Sequence, residues 1–142
     1  LLKMLQSSPD KKLVLHWEET SKVNHINFEK CVSEHLKRLG ISHHLKGYNY
    51  IKYGTLNCIE HPEDIESITK VLYPKIAQRY DTTPGKVEHG IRHAIKAAWE
   101  REQSEEWSMI FGKGYMERMS KPTNARFIAT LSDFISINNN IL

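Results

Sequence analysis

From Asn27 onward, apolar residues recur with the 3.6-residue spacing of a helix that buries one face. Phe28, Cys31, Val32, His35, Leu36 and Leu39 share one stripe and Gly40 follows as a C-terminal cap, which predicts a first helix. Gly47 to about Ile59 repeats the pattern through Tyr48, Ile51, Leu56 and Ile59, closing at His61-Pro62 because proline disfavours helix in the residue before it. A third helix is expected from about Pro62 to Tyr80, with a kink or break near Tyr73 where Pro74 falls inside it. Thr83-Pro84 pairs an N-cap with proline at the first helical position and opens a fourth helix reaching about Arg101. A shorter helix around Glu105 to Phe111 should end at Gly112-Lys113-Gly114. A last one should follow Asn124, with Phe127, Ile128, Leu131, Phe134 and Ile135 facing inward. No segment alternates convincingly with period two, and the apolar run Leu13 to Trp17 fits either a strand or a single helical turn. The prediction is an all-α domain of about six helices over residues 25–142, preceded by a linker or arm over residues 1–24.

Length and composition narrow this further. The 142 residues suffice for one domain with a single buried core. With 20 Lys and Arg against 17 Asp and Glu, the net charge of +3 is too small to argue for nucleic acid by itself, so the local distribution of charge must decide. No run approaches the roughly 18 apolar residues of a membrane span and no signal segment opens the chain, so a cytoplasmic protein without membrane partners is expected. The start at Leu1 rather than Met suggests a fragment of a longer protein. Cys31 and Cys58 lack a C-x-x-C partner and read as small semi-buried hydrophobes.

The most informative stretch runs from Ile76 to Ile91. Two helices meeting steeply across a tight turn need a small residue at the crossing, apolar flanks, and apolar residues at fixed offsets in the second helix. Ala77 is that small residue, Ile76 and Tyr80 flank it, Asp81-Thr82-Thr83 is the turn, and Val87 and Ile91 supply the inner stripe. Asp81 stands where such turns often have glycine. At 100° per residue, Val87, Ile91, Ala94 and Ala98 fall on one stripe with Ile95 at its margin, while Lys86, His89, Arg92, His93 and Lys96 occupy the opposite arc. Such an arc suits a recognition helix, whose first turns meet base edges in the major groove, and Glu88 beside it can accept from a cytosine amine. A merely solvated face is the alternative.

The stretch Ser67 to Ala77, then Thr82-Thr83, Val87-Glu88, Ile91-Arg92-His93-Ala94-Ile95 and Ala98-Trp99, resembles the DNA-binding effector domain of the sporulation stage-zero master response regulator of endospore-forming bacteria. His44 to Tyr50 upstream, and Phe111-Gly112, Lys121-Pro122-Thr123-Asn124 and Phe127-Ile128-Ala129 downstream, extend the similarity over roughly residues 27–136. The resemblance implies a six-helix domain that binds short promoter boxes, often as a tandem dimer, downstream of a phosphorylatable receiver that this chain lacks. By position, Glu88 matches the family's base-reading glutamate, and Arg92 and His93 its Arg-His pair. His89 replaces an arginine, Lys86 stands where arginine is usual, and Gly90 where alanine is usual. Arginine forks to guanine O6 and N7 where histidine cannot, so an altered or relaxed box is expected, as in a diverged relative. The tail from Ser136 to Leu142 has no lysine, where the family's is usually basic, so no tail contact to DNA is expected.

Together these readings assign base reading to Lys86, Glu88, His89 and Arg92, and phosphate contacts to Thr83, His93 and Lys121. The partner is double-stranded DNA, bound by a homodimer, with RNA polymerase as a further partner. The cluster Lys113, Arg118, Lys121 and Arg126 could grip phosphates or be a solvated loop, and the acidic run Glu100, Glu102, Glu105 and Glu106, which would repel DNA, reads as a face turned to a protein partner such as polymerase or as a plain solvated face. Trp99 and Trp107 read as core anchors. His89 and His93 have metal-ligand spacing but no third ligand, and Gly112-Lys113-Gly114 lacks the rest of a phosphate loop, so neither metal, cofactor nor small-molecule substrate is expected. No nucleophile stands at a readable spacing from a base, so the chain is not expected to be an enzyme. The rival is a helical protein-interaction module that has lost DNA recognition, favoured by His89 and Gly90.

Overall fold

The computed structural model describes residues 27–101, 104–118 and 120–139. The arm expected over residues 1–24, the Leu13 run, Glu102 and the tail beyond Asn139 lie outside them. Among the described residues there is no strand, and the chain is all-α. The helices are α1 (27–38), α2 (Lys46–Glu60), α3 (Tyr73–Arg79), α4 (Pro84–Trp99), α5 (Glu105–Phe111), α6 (Lys113–Arg118) and α7 (Asn124–Asn138). None is long and apolar enough to cross a membrane.

Two departures from the expected helices have local causes. The single helix expected between Pro62 and Tyr80 is a 3₁₀ segment Pro62–Ser67, a π-helical turn Ile68–Leu72 and then α3. Pro74 lacks an N–H for the carbonyl four residues back and its ring crowds that carbonyl, so the preceding turn widens: the Tyr73 N–H bonds to the Ile68 carbonyl five residues earlier. The second departure is α6, which occupies the segment where α5 was expected to give way to a loop. Gly112 ends α5 at φ +90°, and the Met116 N–H then bonds to the Gly112 carbonyl, opening a new helical turn immediately. Among the described residues there are thus seven α-helices.

The core is continuous. Val32, Leu36, Ile51, Leu72, Ile76, Val87, Ile91, Ile95, Phe127, Ile128, Leu131 and Ile135 are fully buried, and α2 lies against both α4 and α7. Trp107 is the largest fully buried side chain, ringed by Trp99, Phe111 and Phe127 at centroid distances of 5.3, 5.4 and 5.8 Å. Its indole Nε1–H donates to the Leu39 carbonyl (3.0 Å), and the Ser104 hydroxyl donates to the Arg38 carbonyl (2.8 Å). The segment entering α5 thus satisfies carbonyls that α1 leaves open at its C-terminus.

Glu106 corrects the reading of the acidic run as a solvated face. Its carboxylate is buried and hydrogen-bonded to His35 Nδ1 on α1, while Glu100 and Glu105 are exposed. Cys58 is buried, and burial pushes its thiol pKa up to about 11, so it remains protonated and unreactive near neutral pH.

Candidate nucleic-acid interface

The turn between α3 and α4 closes by a mechanism visible twice in this chain. At the end of α1, Gly40 adopts φ +82°, the Gly40 N–H bonds to the Lys37 carbonyl and the Ile41 N–H to the Leu36 carbonyl. At the end of α3, Asp81 takes the same left-handed role at φ +51°, and the Thr82 N–H bonds to the Ala77 carbonyl at 2.9 Å. Aspartate is one of the few side chains that tolerates this region. The residue that looked out of place for lacking glycine therefore does what glycine does. Thr83 is extended and its hydroxyl oxygen accepts the Lys86 N–H at 3.3 Å, capping α4, while Pro84 occupies the first turn.

Ala77 is buried at the crossing, and Val87, Ile91, Ala94, Ile95 and Ala98 are all buried, matching the inner stripe expected for α4. Tyr80 departs from its expected role as an apolar flank: it is 37% exposed, its ring 5.5 Å from Tyr50 and 6.1 Å from Tyr53. On the opposite side of α4, Lys86, His89, Arg92, His93 and Lys96 are exposed.

Three residues of that outer face are connected. Arg92 Nε donates to Glu88 Oε1 at 2.9 Å, one helical turn back, and Arg92 Nη2 lies 3.1 Å from His89 Nδ1. A guanidinium only donates, so His89 Nδ1 accepts, its proton sits on Nε2, and that N–H is its remaining donor. Arg92 keeps three N–H groups unused by this pair of bonds. The His89 and His93 rings are near-parallel, 6.4 Å apart at an interplanar angle of 11°.

The segment after α6 is tied to α4. Pro122 is buried, Lys121 is half-buried, and Thr123 caps α7 by accepting the Arg126 N–H. Asn124 Nδ2 donates both to the Glu88 backbone carbonyl and to the Tyr73 hydroxyl oxygen, each at 3.0 Å. Burial raises the pKa of Tyr73, with the Asn124 hydrogen bond acting against the shift. Asn124 thus fixes α7 to α3 and α4 behind Glu88, and no periodicity in the sequence announces it. The expected basic cluster does not form one loop: Lys113 and Arg118 belong to α6, and Arg126 lies on α7 with its guanidinium 5.0 Å over the Tyr115 ring.

Gly90 faces α2. A methyl there would meet the Tyr50 ring edge at 3.0 Å, and the backbone of α2 passes so close that a methyl at Gly47 would stand 2.1 Å from the Gly90 carbonyl oxygen. Gly90 is a packing residue at this crossing, a physical reason for a small residue there that is independent of DNA.

Residues 32–135 match the family described as sporulation initiation factor Spo0A C terminal. The chain belongs to that family. It is accordingly a DNA-binding domain of a sporulation transcription regulator, of a family that is regulatory rather than enzymatic. The match covers every helix from most of α1 to the bulk of α7, so the helix-turn-helix and its supports lie inside the Spo0A C-terminal domain.

Proposed function

We propose that this Spo0A-family domain reads short promoter boxes by placing α4 in the major groove, with Lys86, Glu88, His89 and Arg92 at base edges. Thr83, His93 and Lys121 contact the flanking phosphates, and the domain extends from about residue 25 to the end of the chain. The observation that carries this reading is the Glu88–Arg92–His89 network on the exposed face of a helix whose other face is fully buried. Two bonds hold the guanidinium before DNA arrives, so less side-chain entropy is lost when its free N–H groups meet a base. A bidentate arginine–guanine pair is worth about 1–3 kcal/mol of discrimination. His89 supplies one outward donor, and Thr83, whose oxygen accepts the cap bond, keeps its hydroxyl proton for a phosphate.

Occupancy is the mechanism. A homodimer on adjacent boxes recruits or blocks polymerase, and the exposed carboxylates of Glu100 and Glu105, which would repel DNA, are turned to a protein partner.

The test is selection from a randomised duplex library at near-physiological salt, run with the wild-type chain and with His89→Arg. A short enriched box, shifted towards guanine at one position by the substitution, is the expected result. Failure of both proteins to enrich any sequence refutes the reading and leaves the interaction-module alternative.

A further inference from the structure

Beside the recognition face lies a groove of about 640 Å³ between the first turn of α2 and the helix-turn-helix. Lys46 and Asn49 of α2 line one side, Lys86 and His89 of α4 the other, and Tyr80 and Asp81 of the turn close one end. Lys46, Asn49, Lys86 and His89 are all exposed. The near-contact of Gly47 with Gly90 sets the two walls at a fixed spacing, because neither backbone can approach further.

We propose that this groove seats the sugar–phosphate backbone of the DNA strand flanking the box, with Lys46 as a phosphate contact from outside the helix-turn-helix. The proposal rests on the DNA reading above and extends it to α2. Two observations select this occupant. The groove is continuous with the reading face, since Lys86 and His89 belong to both. Its charge also suits a polyanion: two lysines and an imidazole donor face a single carboxylate, Asp81, among the described lining residues. The exposed part of the Tyr80 ring offers an apolar surface on which a deoxyribose can lie. A lysine placed here carries no base information, but it sets the register of α4 over its box.

Binding of the selected duplex across a salt series tests this with wild type, Lys46→Ala, Asp81→Asn and, as a matched control, Lys30→Ala on α1, which does not line the groove. One lost phosphate contact makes the log–log salt slope shallower by about 0.9, so the deficit of Lys46→Ala is about 3.5-fold larger at 50 mM than at 200 mM salt. Its selected box should be unchanged. Asp81→Asn keeps a side chain suited to the left-handed turn while removing the opposing charge, and should tighten binding roughly two- to fivefold. Lys30→Ala should leave the slope as in wild type.

An unchanged slope for Lys46→Ala, an equal change for Lys30→Ala, or an unchanged affinity for Asp81→Asn overturns the assignment of the groove while leaving specific binding by α4 intact. Competition by inorganic phosphate at constant ionic strength, abolished by Lys46→Ala, would assign the groove to a small anion instead and equally overturn it. Absence of specific binding by the wild-type chain defeats the DNA reading itself, and the groove assignment with it.

Discussion

Replacing Gly47 by alanine probes the crossing of α2 with α4. The added methyl would stand 2.1 Å from the Gly90 carbonyl oxygen and 2.7 Å from Ala94 Cβ, both on α4. Carbon and carbonyl oxygen come to rest at about 3.3 Å or more, so the helices must separate by about 1 Å at this point. No flexible side-chain end can yield, because the nearest obstruction is backbone. A gap of that size forfeits roughly a quarter to a half of each affected dispersion contact in the buried packing of α2 against α4. Overpacking of this kind costs about 1–3 kcal/mol or more, against a gain in helix propensity of at most about 1 kcal/mol. A net loss of about 2 kcal/mol is expected, lowering Tm by roughly 6–12 °C for a domain of this size. Thermal and urea melts followed by circular dichroism measure it. Gly85→Ala serves as the internal comparison, since a methyl at Gly85 meets nothing within 4 Å and should stabilise by about 0.4–1 kcal/mol. If Gly47→Ala melts with or above wild type, the close crossing does not exist and the fixed spacing of the groove walls fails with it.

Three further outcomes follow from buried and paired polar groups. Thr55 is fully buried and its hydroxyl has no partner, so Thr55→Val should raise stability by about 1 kcal/mol in urea melts; a loss would mean the hydroxyl is hydrogen-bonded. Asn124→Ala leaves the Glu88 carbonyl without its side-chain donor and should cost about 1–2 kcal/mol by the same assay; under the proposed DNA reading, the selected box should also broaden at the position assigned to Glu88. Hydrogen bonds from Lys75 and Asn57 hold the Asp64 carboxyl pKa below its ordinary value. A depressed folded-state value gives a stabilisation that is present above the unfolded pKa of about 3.9 and is lost as pH falls through the folded one. Asp64→Asn should therefore flatten the acid limb of a urea-midpoint series between about pH 5 and 2, and an unaltered limb would show that the pair contributes nothing.

The residues that were legible share one property: their neighbours lie within a few positions along the chain. The inner stripe of α4, the cap at Thr83 and the exposed arc from Lys86 to Lys96 follow from the helical period alone, because one turn of helix relates residues three and four apart whatever surrounds them. The similarity to Spo0A is visible at the same level, being a string of residues in order. Where local rules compete, the period was a poorer guide. Pro74 and Gly112 signalled interruptions, but whether the chain would leave the helix or re-form it as a π turn or as α6 depended on which carbonyls lay in reach.

Sequence alone determined the class of fold, the helix-turn-helix and the side chains that α4 exposes, since each is a matter of periodicity and local hydrogen bonding. Tertiary structure decided the rest. Glu106 left the solvated run to pair with His35 across 71 positions, Asn124 reached Glu88 across 36, and Lys46 came to share a groove with Lys86 because two glycines on different helices let their backbones meet. Such contacts depend on the angle and register at which helices cross, and those are set by the packing of the whole core at once rather than by any stretch of chain.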